Sequence, residues 1–428
     1  MKRKYIGMYI AVVALIITLI LSGISVYNKN LKIMENKKIE TEKKEELLKK
    51  EQKKNEIESH YGKNVITNKE SDLFEKTGEK YNKIGSVSKD FSLTLEDTDI
   101  SFDTEYFRIS GFNYYIRYSD VDVGKEYIKN NRYKKYVVFN ENVITNDETI
   151  FFRDDNSFIK INKSFDLPIY IKDDNKYFVE YNGELFYVNK NFVKQVKKKN
   201  NTKSKIKNKI RTLTYHTIYN TKTEKCSNTV ICHPIEQFES HMKYLSENNY
   251  LTLTMNELEM FLDKKIQIPE KTIVITLDDG KYAINAVNIV EKYKVNATYF
   301  IITGKYKIPE VETKYMNFQS HTNNLHNNWK CQGGNQGGQL LCEKEEIILS
   351  DLETSKKIIG KNVFAFAYPF FDYNERAIKL LKKSGFRLAF VGQADTDGFS
   401  TYNTDRFKLR RKTIFSNDSL DIFISRLM

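Results

Sequence analysis

Two adjacent carboxylates, Asp278 and Asp279, end a run of apolar and β-branched residues within TIVITLDDGKYAINA at residues 272–286. Neighbouring like charges repel, and beside a buried strand they also lose solvation, so a compensating partner is expected. A metal ion, or a separate catalytic role for each acid, would provide that compensation. A strand-end turn is the alternative interpretation, because Asp-Gly is common turn chemistry.

Two histidines, His321 and His326, lie in the polar segment QSHTNNLHNN. Imidazoles at this spacing can converge on one metal across a short loop, and two neutral histidines with one carboxylate form an open site for a zinc-like ion. A histidine pair in a polar loop is, by itself, more often not a pair of ligands. Combined with a strand-end Asp-Asp-Gly about forty residues upstream, the pair favours a metal site.

The elements that must position these residues are predicted from Arg211 onward. Segments with strand character, such as KTIVITLDD, ATYFIIT, VFAFAY and RLAFV, alternate with helical segments such as NELEMFLDKK, YAINAVNIVEKYKV and NERAIKLLKKSGF. This alternation predicts an α/β fold with a parallel sheet, most economically a distorted (β/α) barrel. Chemistry in such barrels lies at the carboxyl ends of the strands, which is where Asp278 and Asp279 stand.

The combination of TLDDG and SHTNNLH resembles the signature of the polysaccharide deacetylases, also called carbohydrate esterase family 4 or NodB-homology proteins. Residues 238–280 and 363–391 are similar to that family nearly end to end, and the resemblance covers residues 211–428. The segment TLTYHTI around His216 resembles the circularly permuted branch that contains the poly-N-acetylglucosamine deacetylases.

The resemblance implies a role for each of these residues. Asp278 would be the general base and Asp279 a metal ligand, with His321 and His326 completing a three-residue site for one divalent ion. Zinc is the expected ion, with cobalt or nickel as alternatives, and such an ion lowers the pKa of water towards neutrality. His216 corresponds to the acid of the permuted branch, which protonates the leaving amine.

The third motif departs from the ordinary family pattern Arg-x-Pro-Tyr-Gly. In FAYPFFD, Ala367 occupies the Arg position, Phe370 the Tyr position and Phe371 the Gly position. Arg410 or Arg411 of FKLRRKTI would supply the missing charge near the base, and Arg411 is the candidate we retain. Because the Tyr contributes a backbone N–H to the oxyanion, Phe370 can substitute for it. Glycine at the position of Phe371 would readily adopt a positive φ, so the phenylalanine leaves the shape of the loop and its fit to substrate as open questions.

Two other aromatic residues are candidates for substrate binding. Tyr368 lies in the third motif, and Trp329, the only tryptophan, follows His326 closely and could stack on a sugar face. A packing role for Trp329 is the alternative. The insert CQGGNQGGQLLC beyond it predicts a flexible flap.

The N-terminal part of the chain predicts a membrane anchor and a stalk. An uncharged apolar run at residues 5–27 follows the basic sequence KRK, and a helix of that length spans a roughly 30 Å hydrocarbon layer. Without a convincing Ala-x-Ala cleavage site, an uncleaved signal anchor at residues 1–27 is favoured over a cleaved signal. Residues 28–60, with Glu and Lys at i,i+4 spacing, predict a charged helical stalk.

Residues 61–196 change to short strands rich in Tyr, Phe, Val and Ile, and a weak internal repeat predicts two small all-β barrel modules. A basic run then provides a solvated linker at residues 197–210, ahead of the deacetylase domain at 211–428. The formal net charge is +13. The basic run lacks aromatic residues for base stacking, so an anionic cell envelope is a better neighbour for it than nucleic acid.

Four cysteines, Cys226, Cys232, Cys331 and Cys342, lie in the last half of the chain. Outside the cell, short-loop disulfides Cys226–Cys232 and Cys331–Cys342 are one arrangement. Four cysteines allow three connectivities, and the sequence does not choose among them or exclude four free thiols.

These features predict a membrane-anchored, metal-dependent deacetylase of N-acetylglucosamine units in a cell-surface glycan, with its catalytic domain outside the cell. Poly-β-1,6-N-acetylglucosamine fits the permuted motif order, and peptidoglycan fits the anchor, stalk and β-modules. A non-catalytic wall-binding protein on the same scaffold is the alternative from another class, which Phe371 keeps open. A deacetylase of small or peptide-linked acetyl groups is a third, because motifs report the reaction rather than the polymer.

Overall fold

The computed structural model describes residues 2–59, 63–96, 105–202, 204–228, 230–392 and 397–427. The predicted junction between stalk and β-rich region, at residues 60 and 61, lies outside these ranges. The chain divides into two units: one comprises Met1–Lys129 and Asn146–Ser164, and the other Asn130–Thr145 and Phe165–Met428. The boundaries proposed above at residues 196 and 210 stay predictions.

One continuous helix, α1 (Lys2–Ser59), contains both the apolar run and the charged segment predicted as a stalk. Within the described residues, the helical stretch Gly7–Ile57 is long and apolar enough to cross a membrane, by length and composition alone. In the stalk, Lys50 and Glu46 form the expected i,i+4 pair at 2.8 Å. Exposed pairs of this kind contribute little because solvent screens them, so they do not by themselves account for the helix.

The region after the helix is all-β. Its strands are β1 (Asn64–Thr67), β2 (Ser71–Thr77), β3 (Lys80–Val87), β4 (Ser92–Thr94), β5 (Tyr106–Arg108), β6 (Tyr115–Arg117), β7 (Val121–Val123), β8 (Glu141–Thr145), β9 (Thr149–Phe152), β10 (Phe158–Ile161), β11 (Asp166–Lys172), β12 (Lys176–Tyr181), β13 (Glu184–Asn189) and β14 (Val193–Lys198). In the first unit, β1 pairs with β4 and β7, and β5-β6-β2-β3-β10-β9 form an antiparallel sheet. In the second unit, β14-β8-β11-β12-β13 form another antiparallel sheet.

The rest of the second unit alternates strands with helices. The strands are β15 (Ile206–Lys207), β16 (Lys209–Tyr215), β17 (Thr217–Tyr219), β18 (Cys232–Pro234), β19 (Leu251–Thr252), β20 (Ile268–Pro269), β21 (Thr272–Asp279), β22 (Ala297–Ile301), β23 (Met316–Ser320), β24 (Ala365–Ala367), β25 (Leu388–Gly392), β26 (Phe399–Thr401) and β27 (Leu409–Thr413). The helices are α2 (Ile235–Glu247), α3 (Met255–Leu262), α4 (Ala283–Tyr293), α5 (Glu345–Ile359), α6 (Glu375–Lys383) and α7 (Leu420–Ser425).

Seven parallel strands close into a barrel in the order β16-β21-β22-β23-β24-β25-β27, with β27 returning to β16. The predicted distorted (β/α) barrel is therefore confirmed. Strands such as β21, β22 and β24 are apolar because helices cover the outer face of the barrel while side chains fill its interior. Ile275 of β21, for example, lies in one core cluster with Phe238 of α2 and Val290 of α4. Full burial of each such side chain stabilises the fold by about 1.5–3 kcal/mol.

An ion pair between the half-buried Arg132 and the buried Glu257 connects the segment before β8 to barrel helix α3 within the second unit. Arg132 Nε lies 2.6 Å from Glu257 Oε1, and Arg132 Nη2 lies 2.7 Å from Glu257 Oε2. The Tyr136 hydroxyl also donates to Glu257. Glu257 additionally forms a capping box with Thr254 at the start of α3. Residues 130–136 thus stabilise the same helix terminus that Thr254 caps.

Candidate active site

The two acids of TLDDG occupy the carboxyl end of β21, but their surroundings differ. Asp278 is buried at 1% exposure, whereas the side chain of Asp279 is 19% exposed. Consecutive strand residues normally point to opposite faces. Asp279 has φ of 77°, in the left-handed region, and Gly280 follows with φ of 116°. This turn in the backbone lets both carboxylates face one cleft.

Arg411, on β27, is the partner of Asp278. Its two terminal nitrogens donate to the two carboxylate oxygens at 2.7 and 2.8 Å, and neither side chain is exposed beyond 2%. Burial alone would raise the pKa of the Asp278 carboxyl, but the Arg411 guanidinium holds it below its usual value. Asp278 is therefore ionised at neutral pH. Arg410, the other candidate, is exposed and lies 3.7 Å from Asp397.

Asp279, His321 and His326 form a group that could hold a metal ion, with ligand atoms all within 4.8 Å of one another. Asp279 Oδ1 lies 3.8 Å from His321 Nε2 and 3.4 Å from His326 Nε2. Burial lowers the pKa of both imidazoles to about 4, so both are neutral at pH 7 and can act as ligands. Two neutral imidazoles and one carboxylate are a donor set that fits a zinc-like ion.

A hydrogen bond to the third motif orients the His321 ring and leaves its Nε2 available as a ligand. Its Nδ1 lies 2.7 Å from the carbonyl oxygen of Ala367, the residue at the position of the missing Arg. A carbonyl can only accept, so Nδ1 carries the proton and Nε2 keeps its lone pair. Hydrogen bonds of this kind commonly fix the tautomer of a metal-binding histidine.

The loop that carries His326 is held by Asp351 of α5. Asp351 accepts hydrogen bonds from the backbone N–H groups of Asn323 at 2.8 Å and Asn324 at 2.6 Å. Asp351 is buried, so its carboxylate depends on these donors to replace water. The interaction fixes the chain between the two histidines.

A cleft of about 320 Å³ brings the predicted residues together. Every predicted site residue lines it except Arg411, which lies beneath Asp278, and Trp329. His216, directly after β16, faces the same cleft as Asp278 and the possible metal ligands. Its Nδ1 is buried without a hydrogen-bond partner among the described residues.

Positive φ is required at the third motif, as the family pattern suggested. Phe370 has φ of 58° and Phe371 has φ of 61°. The Phe371 ring fits because Gly392 of β25 has no side chain: a Cβ there would lie 3.1 Å from Phe371 Cε1. Phe370 packs against His326 with 4.4 Å between ring centroids. The Tyr368 side chain is fully buried, and its hydroxyl has no partner among the described residues.

Trp329 does not line the cleft and does not pack in the core. It is 75% exposed, at the base of the Gly-rich insert. Both short-loop disulfides are formed, Cys226–Cys232 and Cys331–Cys342.

The comparisons with known proteins agree with this geometry. The family model described as polysaccharide deacetylase matches residues 265–389. A poly-beta-1,6-N-acetyl-D-glucosamine N-deacetylase from Staphylococcus aureus (strain MSSA476) is 30% identical over 211 residues, which cover 44% of this chain and 70% of the relative. The chain belongs to the polysaccharide deacetylase family. It is therefore a hydrolase of amide bonds, of the poly-N-acetylglucosamine deacetylase type, and the predicted resemblance is confirmed.

Other similar proteins include a second staphylococcal enzyme and two solved structures. The Staphylococcus epidermidis poly-beta-1,6-N-acetyl-D-glucosamine N-deacetylase is 27% identical over 210 residues, covering 44% of this chain and 70% of the relative. Streptococcus pyogenes deacetylase PplD, solved in complex with acetate, has 22% identity and a TM-score of 0.42, covering 51% of this chain and 98% of its own. IcaB from Ammonifex degensii has 19% identity and a TM-score of 0.41, covering 52% and 96%.

Several residues of the deacetylase site were not found from the sequence. Asp351, Asn228 and Gln336 belong to no motif, and Gly392 reads as an ordinary strand-end glycine. Asn228 lies in the loop closed by Cys226–Cys232, and Gln336 in the loop closed by Cys331–Cys342. Both line the cleft. The one available signal was the cysteine spacing, which brackets both loops.

Proposed function

We propose that this deacetylase removes acetyl groups from N-acetylglucosamine units of a cell-surface glycan in a metal-dependent reaction. The observation that carries the proposal is the division between two adjacent acids. Asp278 is paired with Arg411 and kept ionised, while Asp279 faces His321 and His326. Two carboxylates with different partners can serve two different roles.

The metal would be held by Asp279, His321 and His326, with zinc expected and cobalt or nickel as alternatives. When bound, such an ion polarises the substrate carbonyl and increases the acidity of water in the site.

The chain's own residues account for the proton transfers. Asp278 accepts a proton from the water whose oxygen attacks the acetyl carbon. The N–H of Phe370 donates to the oxygen that becomes negative at that carbon. His216 then gives a proton to the sugar nitrogen as the carbon–nitrogen bond breaks. The products are acetate and a free amine on the glycan.

Poly-β-1,6-N-acetylglucosamine is the substrate we favour, because the Staphylococcus relatives are named for that polymer. Peptidoglycan is the competing polymer. Detergent-solubilised full-length protein, supplied with zinc, would be offered each polymer, and released amines would be counted. We expect amines from the β-1,6-linked polymer, and amines from neither polymer would refute the proposal.

Asp278→Asn distinguishes an enzyme from a wall-binding protein on the same scaffold. Loss of the base should lower turnover by about 10²–10⁴-fold while metal binding persists, because the ligands are untouched. Equal release of amines by the variant and the wild type would favour the non-catalytic alternative, with a contaminating activity as the source.

We further propose that α1 anchors the protein in the cell membrane with the catalytic domain outside. The apolar stretch of α1 supports this, and so do two disulfides, which persist in oxidising surroundings. Protease treatment of intact cells should release the domain. A domain that stays protected until the cells are lysed would contradict this orientation.

A further inference from the structure

The Gly-rich insert, predicted as a flexible flap, has a defined conformation and contributes Gln336 to the cleft. We call residues 331–342 the flap loop. The disulfide Cys331–Cys342 closes it. The two residues just before it are joined to its middle by hydrogen bonds from the backbone N–H of Trp329 to the Gln336 carbonyl at 2.8 Å and from that of Lys330 to the Gly337 carbonyl at 2.9 Å. Gln336 lines the same cleft as His216 and the possible metal ligands.

Asp372, just after the third motif, anchors the tip of the flap loop. Its carboxylate accepts hydrogen bonds from three backbone N–H groups, those of Gln336 at 3.2 Å, Gly338 at 2.7 Å and Asn335. The Asn335 side chain also donates to the Phe370 carbonyl at 3.2 Å. The flap loop is thus tied to the third motif on both sides of Gln336.

The anchor needs the glycines of the flap loop. Asp372 is 2% exposed, and a buried carboxylate requires several donors to replace the water it has lost. Gly334 allows them to approach: it has φ of 72°, and a Cβ at that position would collide with the Asp372 carboxylate. Glycine at this position therefore allows the loop to hold one conformation against Asp372, and it does not indicate a flexible segment.

Gln336 is exposed, although the backbone on either side of it is anchored. Its Oε1 is 3.4 Å from Asn328 Nδ2, and among the described residues no protein atom accepts from its Nε2. A carboxamide can donate to and accept from the hydroxyl and acetamido groups of a sugar at once. Ligand sites typically use a few such polar groups, held in place, to set orientation and specificity.

We propose that Gln336 is a specificity-determining residue that hydrogen-bonds the amino sugar in the cleft, and that Asp372 is its positioning residue. The ligand class is an uncharged N-acetylated hexosamine unit within a polymer. This inference rests on the proposed function.

The first test compares Gln336→Ala with Gln332→Ala, using a β-1,6-linked N-acetylglucosamine oligomer and the zinc-loaded full-length protein. Gln332 lies in the same loop, is exposed and does not line the cleft, so it controls for loop composition. Loss of one hydrogen bond should raise KM about 3- to 10-fold for Gln336→Ala, with a smaller effect on kcat. Gln332→Ala should match the wild type.

The outcomes distinguish failure of the inference about Gln336 from failure of the proposed function. A KM for Gln336→Ala within about 2-fold of the wild type, with the wild type active, overturns the inference alone. No turnover by the wild type on any N-acetylglucosamine polymer overturns the proposed function, and this inference with it.

The second test uses Trp329, the only tryptophan of the chain, as a reporter of the flap loop. The backbone N–H of Trp329 donates to the Gln336 carbonyl, so loosening the loop should lower the fluorescence anisotropy of Trp329. This measurement needs neither substrate nor turnover. We expect this for Asp372→Ala, together with a raised KM, and a smaller change for Asp372→Asn, which keeps one carbonyl acceptor. Unchanged anisotropy and KM in folded Asp372→Ala overturn the positioning role.

Discussion

Arg411 donates to both carboxylate oxygens of Asp278, at 2.7 and 2.8 Å, and both side chains are closed to solvent. The pair restores, from a different strand, the charge that the third motif lacks at Ala367. Because the two groups are buried, each depends on the other to offset its lost solvation.

Arg411→Ala should therefore cost both stability and activity. An unpaired buried carboxylate lowers the free energy of unfolding by about 3–5 kcal/mol. Urea unfolding measures this, and the initial rate of amine release should fall with it. In the Asp278→Asn background the same substitution should cost at least about 1 kcal/mol less, because no charge is left unpaired. Equal costs in the two backgrounds would contradict a coupled pair.

The second prediction concerns Asp351, which holds the loop between the two histidines through Asn323 and Asn324. Asp351→Ala should release His326 and weaken zinc binding by about 10–100-fold, the usual effect of removing a group that orients a ligand. Competition with a chromogenic zinc chelator measures this without turnover. Glu353→Ala, an exposed change on the same helix, is the control and should bind zinc normally. Matching affinities for the two variants would exclude the positioning role.

The third prediction is a pH dependence of stability from Glu257. Burial by itself would raise the pKa of this carboxyl, but the Arg132 guanidinium and the Tyr136 hydroxyl lower it below the ordinary 4.5. A folded pKa below the unfolded one means the stabilisation is complete above pH 4.5 and is lost as pH falls through the folded pKa. Thermal unfolding between pH 6 and pH 3 should therefore show a shallower loss of stability in Glu257→Gln than in the wild type.

Arg132→Ala should lower the free energy of unfolding by about 3 kcal/mol near pH 7, since it leaves the buried Glu257 carboxylate without its cationic partner. The pair of Arg387 with Glu259, which lies on the same helix as Glu257, is the matched control, because the Arg387 side chain is 53% exposed. Arg387→Ala should cost less than about 1 kcal/mol. Similar losses in both variants would argue against a special role for residues 130–136.

How much of the site could be predicted depends on the range of the interactions. Asp278, Asp279, His321 and His326 stand at strand ends or in one short segment, so local spacing predicts their convergence. The sequence predicted that either Arg410 or Arg411 would supply the charge near Asp278. Only the structure shows that the Arg411 side chain points inward from β27 and is the partner. These positions follow from strand periodicity and barrel topology.

Interactions between a side chain and a distant backbone could not be predicted. Asp351 and Asp372 bind loop N–H groups that no periodicity reports. Strand β23 was also missed, because MNFQS is too polar for a buried strand. Its Gln319 is buried and accepts from the N–H groups of Phe364 and Ala365 at 2.9 and 2.8 Å. The Gln319 side chain thus replaces backbone hydrogen bonds that would otherwise join β23 to β24. Because this side chain is polar, the segment does not show the apolar pattern of a buried strand.

The last prediction pairs Phe371 with Gly392. A Cβ at residue 392 would lie 3.1 Å from Phe371 Cε1 and 3.4 Å from Arg411 Cβ. Gly392→Ala should thus overpack this wall and lower the free energy of unfolding by about 1–3 kcal/mol. Phe371→Gly removes the ring and suits the positive φ of 61°, so adding it to Gly392→Ala should recover most of that loss. A double-mutant cycle by urea unfolding tests the coupling. If the two free-energy changes are additive, the absence of a side chain at Gly392 is not what makes room for the Phe371 ring. Another feature of the structure would then accommodate phenylalanine at this position.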